Sequence, residues 1–201
     1  MTKPAADSTM AAVLPRPIAD QLLLDFLAAQ RETALAIVEG LDEEAWHRSV
    51  VPSGWTPAGL VEHLSGVELH WFQQVVAAAE VTPPDGEDVT PYDPLAAFVT
   101  DWSSADIIAE YRDLCARSDA VLAVTPLSAQ PRGKHGDPGV AEPSTVRWVV
   151  LHVIEEIARH AGHLDIAREL LDGKTRLGQK RSAGLTSRPA GTGTVSARST
   201  N

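Results

Sequence analysis

The chain has 201 residues, with 17 Lys and Arg against 27 Asp and Glu and a net charge of −10. That length suits one domain around one core, and an acidic balance without a basic stripe argues against nucleic acid as the main partner, because phosphate contacts need clustered Lys and Arg. A lone Cys115 forms no internal disulfide and no cysteine-rich zinc site, so a reducing compartment is its simplest home.

Taken in chain order, residues 1–16 read as a flexible N-terminus: they hold no apolar run of signal-peptide length, and no later stretch approaches a membrane span. A soluble, cytoplasmic protein follows as the expectation. Residues 18–40 carry a helical hydrophobic period. Pro17 stands at the start, Leu23, Phe26, Leu27, Leu35 and Val38 form the stripe, and Gly40 is the stop. A second helix is predicted over 57–80, where Thr56 caps the first turn and Pro57 fills the position that needs no donor. Residues 81–94 are a Pro- and Gly-bearing connection. A third helix over 104–124 starts behind Ser103 or Ser104 and turns Ile107, Ile108, Tyr111, Leu114, Cys115 and Leu122 inward. After a second long connection, 126–143, the fourth helix covers 144–172 and stops at Gly173. The period is helical throughout, so the expected class is all-α, an antiparallel four-helix bundle over 17–173 whose long connections cover a site. Residues 174–201 hold six basic and no acidic residues among Gly, Ser and Thr and read as a disordered basic tail.

The chemistry concentrates in the fourth helix, STVRWVVLHVIEEIARHAGHLDIARELLDG. With His152 set at zero, His163 falls near ~20°, Glu156 near ~40° and His160 near ~80° around the cylinder. Val149, Val153 and Ala167 share that arc, so the titratable groups interrupt an apolar stripe and point into the bundle. Glu156 and His160, four residues apart, can share one cation. His63, beside Leu60, Leu64, Val67 and Trp71 on the second helix, can add a third ligand. Two imidazoles and a carboxylate leave a coordination position open, the catalytic pattern of a divalent site. Each residue taken alone also fits a blander role. His63 reads as a hydrogen-bonded core histidine, Glu156 as the partner of Arg147 or Arg159, and His70 as an edge residue next to Trp71. His152 and His163 divide between outer-sphere partners and pocket residues. Trp55 stands where it can wall a pocket, while Arg132, Lys134 and His135 on the second connection can meet a carboxylate. Glu155 reads as a surface charge. Cys115, mid-helix among apolar neighbours, reads as core packing, not a nucleophile.

The segments GWTPAGLVEHLSGVELHWF and WVVLHVIEEIARHAGHLDIARELLDG resemble the two signature helices of the DinB/YfiT-like metalloenzyme superfamily, in the actinobacterial branch whose last helix carries E-E-x-x-R-H-x-G-H. The resemblance spans roughly residues 17–173. It implies a four-helix bundle with a divalent metal on His63, Glu156 and His160. Many members have His at the first of the paired positions, whereas this chain has Glu156, as the mycothiol-dependent maleylpyruvate isomerases do. Zinc suits that set best, with nickel, manganese or iron as alternatives. The resemblance further implies a thiol S-transferase that joins mycothiol, or a similar low-molecular-weight thiol, to a small electrophile. The scarcity of lysine, four of 17 basic residues, is a GC-rich imprint that favours mycothiol. His163 and His152 are then the candidate catalytic groups, and Trp55 and Arg132 the candidates for holding the thiol. The rivals are a metal-dependent hydrolase, lyase or isomerase at the same site, a non-haem iron oxygenase, and a non-catalytic ligand-binding bundle. A homodimer is compatible with all of them.

Overall fold

Caps written into the sequence set the helix starts. The computed structural model describes residues 17–80, 98–137 and 141–175. The expected flexible N-terminus, the connection at 81–94 and the tail from 176 onward lie outside the described residues. α1, Ile18–Val38, starts behind Pro17, and Gly40 turns the chain at φ 74°. A short helix that the period did not announce, α2, Glu43–Trp46, is capped by Asp42 accepting from Ala45 N–H. α3, Pro57–Glu68, starts as expected, with Thr56 Oγ1 accepting from Gly59 N–H at 3.1 Å. α4, Ser104–Val124, is capped by Ser103. α5, Val146–Asp172, is capped by Thr145 and closed by left-handed Gly173. Among the described residues there is no strand, and no helix is long and apolar enough to cross a membrane.

The second predicted helix departs from its expected course. After Glu68 it widens into a π-helical segment, π1, Leu69–Val76, rather than continuing as α-helix to residue 80. Ala77 N–H donates to Phe72 O, the i→i+5 pattern. Ala78 then takes φ 55°, and Ala79 N–H reaches back to Gln73 O at 2.8 Å. Hydrophobic period alone does not separate 3.6 from wider residues per turn over so short a run.

The molecule is an all-α bundle. α1 and α5 run the same way: Arg147 at the start of α5 pairs with Asp20 at the start of α1, and Arg168 near the end of α5 donates to Ile37 O and Glu39 O. α3 runs against α5, since His63 faces His160 while Trp71 faces His152. The core between them holds Leu60, Leu64, Phe72, Val149, Val153 and Ile157, all buried. Phe26, expected in the stripe of α1, is 44 % exposed instead.

One charged link crosses that core. Arg31 on α1 forks onto Glu68 at the end of α3, Nε to Oε1 at 2.8 Å and a terminal nitrogen to Oε2 at 2.6 Å, while its other arm reaches Asp119 on α4. Glu68 is wholly buried and Arg31 nearly so. The fork ties three helices together at the point where α3 gives way to π1. Removing one partner strands a desolvated charge, whereas removing both leaves an apolar contact. Glu68→Ala is therefore expected to cost about 3–5 kcal/mol in urea denaturation, and Arg31→Met with Glu68→Leu to recover most of that loss. Equal costs for the single and double variants would contradict this reading of the link.

Candidate metal centre

Three donors meet where α3 faces α5. His63, Glu156 and His160 each offer one ligand atom, and these atoms all lie within 4.8 Å of one another. His160 Nε2 stands 3.5 Å from Glu156 Oε2, and the rings of His63 and His160 meet edge to face at 4.9 Å. Their convergence follows from sequence spacing. A four-residue step on α5 stacks Glu156 and His160 on adjacent turns, and the apolar neighbours of His63 bury its side of α3 against them.

The surroundings favour the ligating form of His63 and of Glu156. Burial, and then the charge of His160, push His63 down to about 4, so its imidazole is neutral at physiological pH. Hydrogen bonding to His160 holds the Glu156 carboxyl below its ordinary value despite partial burial. Arg159 donates to Glu156 Oε1 at 2.7 Å and also grips Glu155, whose carboxylate stays at the surface. Arg147 is spent on Asp20. The ion pair of Glu156 and its place in the donor set therefore coexist, one oxygen to each. Two imidazole nitrogens and one carboxylate oxygen suit a borderline divalent cation.

The remaining predicted residues divide into two places. His163 Nδ1 lies 3.4 Å from His160 Nδ1, and Trp55 stands 6.1 Å, ring to ring, from His163, so both sit at the rim of the triad. Contact with the ring nitrogen turned away from Glu156 is the position from which an outer-sphere partner would orient a ligating histidine. His152 stands apart, stacked on Trp148 at 5.1 Å and edge-on to Trp71 at 4.7 Å, one turn along α5 from Glu156. Arg132 is exposed, and its N–H donates to Val76 O at the end of π1, well along the bundle from His63. Lys134 is exposed beside it, while His135 turns onto Trp71. Cys115 packs beside Tyr111, and burial pushes its thiol up to about 12, which suits a core residue.

Sequence reasoning missed Phe98, which stacks on His63 at 4.2 Å with the planes 14° apart. It arrives because Thr56 N–H donates to Phe98 O, and because Gly59 leaves room: a Cβ there would lie 2.1 Å from Phe98 O. The signal was available only as a glycine in the first turn of α3. The second pairing not anticipated is that of His70 with Gln74 and His135.

Because folding lowers the pKa of His63 from 6.5 to about 4, the unfolded chain binds more protons at this site between those values, and stability rises with pH across that window. Chelator-treated protein is expected to lose stability as pH falls from 6.5 toward 4, with a shallower slope in His63→Leu. Urea denaturation at a series of pH values checks this, and identical slopes would contradict it.

Compared with known proteins, the chain matches the family model for MST, mycothiol-S-transferase, over residues 22–173, a span that contains all three donors. No curated protein matches it. With the bundle, the donor triad and this match in hand, the chain belongs to the mycothiol S-transferase family, within the DinB/YfiT-like superfamily.

Proposed function

We propose that the protein is a metal-dependent thiol S-transferase that joins the sulfur of mycothiol to a carbon of a small electrophile. The observation that carries the reading is the convergence of His63, Glu156 and His160 on one point, in a chain whose family is named for this transfer. These three residues would hold the cation, zinc by the character of the donors. Such a cation, when bound, supplies a positive charge that lowers the pKa of a nearby thiol toward neutrality.

The chain's own residues do the rest. Neutral His63 and ionised Glu156 present two of the three donors free of protons. Arg159 fixes the outer oxygen of Glu156, so the other faces His160. Phe98 covers the ring of His63 and limits access of water from that side. His163, exposed at the rim and within reach of His160 Nδ1, accepts the proton that the thiol gives up. The C–S bond then forms at the electrophilic carbon, and the electron pair leaves with a departing group or moves onto the neighbouring atom of an opened double bond. Trp55 supplies an apolar wall at the same rim. His152 is assigned to contact with the bound thiol, not to proton transfer. Since the thiol is a co-substrate, the protein needs no nucleophile of its own, which agrees with the sequestered Cys115. A small-molecule thiol as co-substrate also fits work in a reducing cytoplasm.

Loss of free thiol from mixtures of mycothiol with small electrophiles tests the reading. Wild type is expected to turn over only with thiol present, His160→Ala to fall to background, and His163→Ala to drop by about 10–100-fold. Cys115→Ser is expected to keep wild-type activity. Turnover of an electrophile without any thiol, or full activity in His160→Ala, would contradict the proposal.

A further inference from the structure

A second set of side chains continues along the α3–α5 seam. His152 stacks on Trp148 and meets Trp71 edge-on, and Trp71 in turn stacks on His135 at 4.6 Å. His135 is tied down: its Nδ1 lies 2.8 Å from His70 Nε2, and His70 Nδ1 lies 2.9 Å from Gln74 Oε1. The loop that carries it is strapped to π1 by Gly133 N–H donating to Val75 O at 2.9 Å, an approach so close that a Cβ at 133 would lie 2.2 Å from Gln74 O. Farther on, Glu142 accepts from the backbone N–H groups of His135 and Gly136. The cluster is therefore held in place before any ligand arrives.

The π-helical turn contributes to it. π1 presents His70 and Trp71 side by side, both in contact with His135. Wider turns of this kind concentrate at functional sites.

Composition indicates the class of ligand. Trp148 is 38 % exposed, His70, His135 and His152 are half-buried, and Trp71 is buried beneath His135, Trp148 and His152 as their support. The donors do not form a second metal site: among the described residues only His63, Glu156 and His160 bring three such ligands together. Aromatic rings bordered by imidazole nitrogens and indole N–H groups suit a molecule with apolar C–H faces and many hydroxyls, namely a sugar or cyclic polyol.

Position indicates which part of the substrate this is. His152 and Trp148 lie about 6 and 12 Å along the axis of α5 from Glu156. The reacting carbon must reach the sulfur at the triad, so a surface this far along the seam takes a part that does not react. Mycothiol carries its cysteinyl sulfur on an amide-linked glucosaminyl-inositol, two rings long. We infer that Trp148, His152 and His135, supported from beneath by Trp71, form the subsite for the glucosaminyl-inositol body of the thiol. The inference rests on the transferase reading of the triad, and it makes these residues the determinants of which thiol is used.

The test is direct binding of glucosaminyl-inositol, which lacks the sulfur, to the full chain by calorimetry. Wild type and His160→Ala are expected to bind it alike. Trp148→Ala and His135→Gln are expected to bind it about tenfold more weakly, the scale of losing one aromatic or polar anchor. Turnover should then show KM for mycothiol raised in Trp148→Ala with kcat nearly unchanged, and no change with N-acetylcysteine, which lacks both rings. Wild type that fails to bind the polyol, or variants that bind it as wild type does, would overturn the subsite. Polyol binding that depends on Trp148 in a protein without transferase activity would refute the proposed function and leave the subsite standing.

Discussion

Bringing two imidazoles and a carboxylate within 4.8 Å of one another, largely out of water, is the demand around which the helices are arranged. Such a set is tolerable only if the imidazoles are neutral and the carboxylate is balanced. Burial keeps His63 neutral, and Arg159 balances Glu156 from outside. What remains is a set of three donor atoms spaced closely enough to suit a cation. The register of α5 against α3 must be right to within a turn for this to hold. It is fixed by α1, which grips α5 at both ends through Asp20 and Arg147 and through the last carbonyls of α1 and Arg168. Those clamps lie far from the triad, yet they set its geometry.

The buried fork between Arg31 and Glu68 has a related place. It lies one residue before the helix widens into π1, and it links that junction to α1 and α4. Beyond the junction the wider turn carries His70 and Trp71 to the strapped loop. Along one seam, then, the triad gathers three donor atoms and the aromatic cluster lies rigidly beside it. The chain's own thiol, Cys115, stays on α4 within the packed side, where burial raises its pKa.

Much of this was legible in the sequence, and the reasons differ from one element to the next. Thr56, Ser103 and Gly173 act through the local backbone, so the residues themselves indicated where helices begin and end. Glu156 and His160 were legible because a four-residue step is a contact on any α-helix, and the arc they occupy is otherwise apolar. His63 could be placed on an inner face, but only packing shows that it faces His160. The widening at Leu69 was not legible, since hydrophobic period is indifferent to one extra residue per turn over two turns. Nor were Phe98 and His135, which reach their partners from loops whose paths are fixed by backbone contacts at Gly59 and Gly133. Phe26 was misplaced because an apolar residue at the edge of a stripe can face either way.

The central claim is that His63, Glu156 and His160 hold one divalent cation. Elemental analysis of gently purified protein, run beside His160→Ala with circular dichroism to confirm the fold, tests it most directly. Close to one equivalent of metal per chain is expected in wild type, and loss of that metal in the folded variant. Wild type that is metal-free and takes up no added zinc, nickel, manganese or iron, or a variant that retains the metal of wild type, would contradict it.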